Sequence, residues 1–130
     1  MERSKFQFLN PYLVEVSFSE KSDYFSDANN AEIEMQNIFK VDIDKKESQN
    51  MANVQLTLEI NKEKENVPFT LKIKVASDFI WENIDEQTVD TMLNCNAPAL
   101  LLGYMRPMVA GITNFSRFPT CNIPFVNFFQ

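Results

Sequence analysis

Four stretches of the chain alternate between apolar and polar residues with period two, the spacing that lines one face of a β-strand. In the first, over residues 5–18, Phe6, Phe8, Tyr12, Val14, Val16 and Phe18 fall on one face. Pro11 interrupts it. Proline has no N–H to give to a ladder, so an edge strand or a bulge is predicted there. The second stretch, 31–44, sets Ile33, Met35, Phe39, Val41 and Ile43 against Glu32, Glu34, Gln36, Lys40, Asp42 and Asp44. The third, 52–61, carries Val54, Leu56, Leu58 and Ile60 opposite Gln55, Thr57 and Glu59. The fourth, 67–77, carries Val67, Phe69, Leu71, Ile73 and Val75 opposite Thr70, Lys72 and Lys74. Polar turns at 44–50 and 61–66 separate the last three. One apolar and one wet face predicts an antiparallel sheet covered on a single side.

The period then changes. Asn83, Asp85 and Glu86 read as a helix start, and Val89, Met92 and Leu93 recur at helical spacing. Pro98 suits a first helical turn. Beyond it, Leu101, Tyr104, Met105, Met108, Val109, Ile112 and Phe115 make a broad apolar face within a helical region over 85–116. Pro107 is expected to kink or interrupt that helix. The end, residues 118–130, has two prolines and four phenylalanines but no charge. It is a poor helix and a poor solvated tail, so it must lie on something. No repeat or linker implies more than one domain over 1–130.

Composition sharpens this picture in two places. Twelve phenylalanines, three tyrosines and a tryptophan stand against two glycines. So much ring area must go to the core, an oligomer interface or a binding groove; for Trp81, packing competes with ligand contact. The net charge of −6 argues against nucleic acid and anionic membranes, which call for clustered Lys and Arg. Cys95 and Cys121, without a CxxC, read as reduced thiols, and the first residues lack an apolar signal stretch. A cytoplasmic protein is the expectation.

Chemistry is scarce. The chain has no histidine, which removes Ser-His-Asp and Cys-His triads and most zinc sites. Two glycines build neither a P-loop nor a dinucleotide fingerprint. Asp42 with Asp44, and Asp85 with Glu86, read as solvated or capping acids. No catalytic residue, metal or cofactor is expected, and the chain is read as a non-enzyme.

Three pieces in register carry a resemblance. Phe118-Pro119, Asn122 and Val126-Asn127-Phe128 resemble the loop after the long helix of SecB-like export chaperones. Leu100 to Arg106, with Tyr104-x-Arg106, is similar to that helix. Phe6-Gln7, Tyr12 and Val16-Ser17-Phe18 resemble the family's first strand. The resemblance spans nearly all of residues 5–129. It implies an α+β fold, a four-stranded antiparallel sheet packed on a long helix with a C-terminal aromatic crossover loop. It also implies a homodimer or homotetramer (a dimer of dimers) with Leu101, Tyr104, Met105, Met108, Ile112 and Phe115 at the interface. The implied activity is that of an ATP-independent holdase for unfolded preproteins. Phe118, Ile123, Phe125, Val126 and Phe128, with Phe25, are the implied client groove.

Two departures qualify the resemblance. The chain stops at Gln130, where the family usually continues into a final helix and acidic tail, so a more open groove, or one completed by a partner, is expected. The family's acidic docking face for SecA is only partly matched: Glu15 fits, Glu20 lies beside Ser19 where an acid is expected, and Lys72 and Lys74 reverse the sign. Reversed charge at an electrostatic docking site weakens association. Delivery to SecA is therefore not expected, and a dedicated client such as an antitoxin becomes the alternative to secretory precursors. A purely structural assembly subunit is the third reading.

Overall fold

The longest strand of the protein, β5 (Phe69–Trp81), is the axis on which the rest is hung. The computed structural model describes residues 2–24 and 34–129. On one side, β5 pairs antiparallel with β1 (Phe6–Phe8) and then β2 (Tyr12–Glu20), which follow each other along the same edge. On the other it pairs with β4 (Met51–Ile60), and β4 with β3 (Asn37–Lys46). The sheet is thus five strands in four positions, with the first position split at Leu9–Pro11, where the sequence predicted an interruption.

That split changes which side chains share a face. Tyr12 sits opposite Ala76 and Leu13 opposite Val75, and the register slips between Leu13 and Glu15 before Val16 meets Ile73. Tyr12 therefore leaves the face on which the sequence placed it with Phe6, Phe8 and Phe18. Its hydroxyl accepts a hydrogen bond from Asn53 at 3.0 Å on the polar side of the sheet. Leu13 takes the helix side instead. A strand broken by proline and bulged by one residue cannot keep one parity along its length.

The turns use asparagine where glycine is scarce. Asn50, Asn61, Asn66 and Asn83 all have positive φ, the left-handed region that asparagine tolerates better than most residues. Asn61 does more. It is 1% exposed, its Oδ1 accepts from the Gln36 N–H at 3.0 Å, and its Nδ2 donates to the Phe69 carbonyl at 3.0 Å. One side chain so ties together the approach to β3, the end of β4 and the start of β5.

The helical layer begins at Asp85, whose carboxylate caps α1 (Glu86–Thr91) by accepting from the Thr88 N–H at 3.0 Å. A π-helical turn, Met92–Asn96, joins it to α2 (Ala97–Asn114). Val89, Leu93, Ala97, Leu101, Met105, Val109 and Thr113 recur every fourth residue, and all are buried. A row at spacing four drifts about 40° per step on a regular α-helix, and the wider π turn absorbs part of that drift. The row packs on Val54, Leu56, Leu58 and Ile60 of β4 and on Phe69, Leu71, Ile73 and Val75 of β5. Helix α2 runs through Pro107 without interruption. The carbonyl freed by proline belongs to Gly103, and both residues are exposed, so the lost bond leaves no buried group unpaired.

Candidate functional site

The helix layer covers β4 and β5 but leaves both margins of the sheet thinly covered. At one margin most apolar residues of β1 and β2 are exposed, Phe6 and Phe18 being half-buried. Phe8, Leu9, Tyr12, Leu13, Val14 and Val16 account for six of the ten large hydrophobic side chains that are exposed among the described residues. Phe8 stands edge-on to Tyr104 of α2, ring centroids 6.2 Å apart, so the strip continues onto the helix. The sequence did carry this signal. Tyr12-Leu13-Val14 is three apolar residues in a row, which in a strand makes both faces apolar.

At the other margin, β3 turns Phe39, Val41 and Ile43 toward the core, yet these remain half-buried. Here the chain end comes back. Residues 118–129 sit on the core without forming a strand or helix. Phe118 packs on Phe69 and meets Tyr24 edge-on, Ile123 is buried, and Val126 and Phe128 are half-buried, with Phe128 edge-on to Phe39 at 6.2 Å. Phe125 behaves differently: its ring is 93% exposed, with the Arg106 guanidinium 4.5 Å from its centroid. Phe129, which the sequence did not single out, is also exposed. Of the expected groove residues, then, Phe125 faces out while Phe118, Ile123, Val126 and Phe128 face the domain. Phe25 lies outside the described residues.

The six helix residues expected at an oligomer interface divide as well. Leu101 and Met105 are fully enclosed against their own sheet, and Met108 and Ile112 are half-buried beside it. Tyr104 and Phe115 face solvent, Phe115 at 93% exposure. The outward side of α2 also presents Ala99, Gly103, Pro107 and Asn114, and Arg106 is the one charged residue in the helix.

Glu15, which matches the expected docking face, and Glu20, beside Ser19 where an acid is missing, are both paired with cations. Glu15 stands across the strand pair from Lys74, with the Lys72 and Lys74 ammonium groups 3.6 and 3.7 Å from its carboxylate. Glu20 is paired with Arg117, which binds the end of β2 to the beginning of the tail. Among the described residues no cluster of metal-ligating side chains occurs. Burial pushes the Cys121 thiol up from its ordinary value, which disfavours the nucleophilic thiolate. No helix among the described residues is long and apolar enough to cross a membrane.

Comparison with known proteins adds three findings. Residues 1–130 match the family described as preprotein translocase subunit SecB. The chain is 23% identical over 129 residues to the protein-export protein SecB of Jannaschia sp. (strain CCS1), covering 95% of this chain and 75% of that one. Its fold is similar to that of a SecB-like chaperone of Mycobacterium tuberculosis, solved in complex with a ChAD peptide from an antitoxin. There the TM-score is 0.73 at 14% identity, over 94% of this chain and 91% of the other.

Proposed function

Because the chain belongs to the SecB family, we propose that it is a chaperone of the holdase kind, which binds unfolded polypeptide without ATP and without a catalytic step. The observation that carries this reading is the tail. An uncharged segment without regular structure presents Phe125 and Phe129 to solvent on a protein whose net charge is −6. Exposed rings capture apolar segments of many sequences, and the surrounding charge keeps such a surface in solution. The proposal places the protein in the cytoplasm, consistent with free Cys95 and Cys121.

The strip on β1 and β2, with Tyr104 and Phe115, is assigned to self-association into a dimer or tetramer. Apolar area on an edge strand and on a nearly uncharged helix face suits contact with an identical surface.

The choice of client leans away from SecA-coupled export. Glu15 and Glu20 already hold cations of their own, so neither offers a free carboxylate to a basic docking partner. A dedicated client, of the kind represented by the antitoxin peptide on the Mycobacterium tuberculosis chaperone, is the second reading.

Light scattering of several unrelated proteins diluted from denaturant tests both. Suppressed aggregation of all of them without nucleotide supports a general holdase, and protection of one cognate client supports the dedicated one. Failure to bind any unfolded chain, beside a stable complex with a folded partner, would replace both with an assembly subunit.

A further inference from the structure

The run from Phe118 to Phe129 has no backbone–backbone hydrogen bond among the described residues. Side chains of the domain hold its main chain instead. Thr113 Oγ1 accepts from the Cys121 N–H at 2.8 Å, Arg106 Nη2 donates to the Pro124 carbonyl at 2.9 Å, and the Cys95 thiol donates to the Phe128 carbonyl at 3.2 Å. Between these grips Ile123, Val126 and Phe128 settle into apolar seats. Helices and strands satisfy their main chain internally or against a ladder. This segment is held the way an extended peptide ligand is held, by grips on groups that every polypeptide carries plus pockets for alternate side chains.

Two further observations point the same way. Arg106 Nε is buried and has no partner among the described residues, leaving one donor more than Pro124 uses; a buried donor without an acceptor calls for an explanation. The segment from Phe118 to Gln130 also carries no charge, although the chain as a whole has thirty charged residues in Lys, Arg, Asp and Glu together (12 and 18).

We propose that Arg106, Thr113, Cys95 and Phe39 form a cradle for extended polypeptide, which the chain's own tail fills. An unfolded client of the same chemistry, extended, uncharged and rich in aromatic residues, is met by the exposed rings of Phe125 and Phe129 and binds there by displacing the seated side chains of the tail. This rests on the holdase reading and gives it a site. The tail then acts as an internal competitor, and the apparent affinity for client is the intrinsic affinity reduced by the fraction of time the cradle is empty.

The sign of one substitution separates this arrangement from a tail that forms a wall of the groove. Phe128→Ala removes a seat of the competitor and leaves all four cradle residues in place. The full chain and this variant are titrated with fluorescently labelled, reduced and carboxymethylated α-lactalbumin, which stays unfolded. A weakened competitor should tighten client binding by roughly fivefold, and a synthetic peptide of residues 118–129 should compete with the client. In the unsubstituted chain, client should speed hydrogen exchange at the Cys121 amide. Weaker or unchanged binding by Phe128→Ala, or slower exchange at Cys121, would overturn the cradle while leaving the holdase standing. No client binding by the unsubstituted chain would remove the holdase reading and the cradle with it.

Discussion

Asn61 offers the sharpest test of how the sheet is held together. Replacing it with alanine removes three side-chain bonds: a weak one to Met35 Sδ at 3.2 Å, and those to the Gln36 N–H and the Phe69 carbonyl, each at 3.0 Å. The last two partners are main-chain groups at a position 1% exposed, where water does not readily replace the lost atom. A buried polar group left unpaired costs about 1–3 kcal/mol. The backbone adds a second penalty, because Asn61 has φ of 63° and alanine held there costs about 1 kcal/mol. We expect Asn61→Ala to lose about 4 kcal/mol, a large share of the roughly 5–15 kcal/mol that holds most domains together. Asn61→Gly loses the same bonds without the strain, so it should be milder by about 1 kcal/mol. Urea unfolding followed by far-UV circular dichroism, at one protein concentration, measures both. A loss below about 1 kcal/mol for Asn61→Ala would refute the reasoning, because the two main-chain groups would then not depend on this side chain. A glycine variant worse than the alanine one would refute the strain argument alone.

The remaining predictions concern other parts of the molecule. Met105→Ala opens a cavity in the row that seals helix to sheet and should cost about 2–5 kcal/mol by the same assay. Leu13→Asp with Val16→Asp should drop the molecular mass toward a monomer in size-exclusion chromatography with light scattering; an unchanged mass would free the strip from the role assigned to it. Phe129→Ser should weaken client binding by about tenfold, the effect of losing roughly 1.4 kcal/mol of contact, and leave the melting temperature alone. For Asp85, the hydrogen bonds from the Thr88 hydroxyl and then its N–H lower the carboxyl's pKa below 3.8. A lowered folded value contributes stability above the unfolded value that fades as pH falls through the folded one. Asp85→Ala should therefore be less stable than the parent at pH 7, and the gap should begin to shrink only as pH falls toward and below 3.8.

Much of the fold was legible because β4 and β5 are covered on one face only, which forces strict alternation on their sequences. The helix was legible for the same reason, through residues spaced to meet that face. Its continuity past Pro107 was not, because a proline's effect depends on whether the freed carbonyl is buried, and here Gly103 and Pro107 are both exposed. The parity of β2 was hidden by a one-residue slip, which no period of two reveals. The tail announced only that it needed a surface. Which rings turned inward was decided by grips on its backbone, and backbone leaves no mark in a sequence. Arg106 was legible only as part of Tyr104-x-Arg106; its reach across to the Pro124 carbonyl and the face of Phe125 depends on where the tail lies, which no spacing shows.

The break at Pro11 has a consequence for how such a protein survives its own stickiness. A long, flat, apolar edge strand is a template on which further chains can stack without limit. The first strand position here has the apolar content for that. Yet it is cut into a piece of three residues and a piece of nine, the longer one bulged near its start. A copy laid alongside finds no continuous ladder to extend. The interruption caps growth: under the proposed self-association, contact between copies closes on itself, and the strip is kept from seeding a fibre of its own.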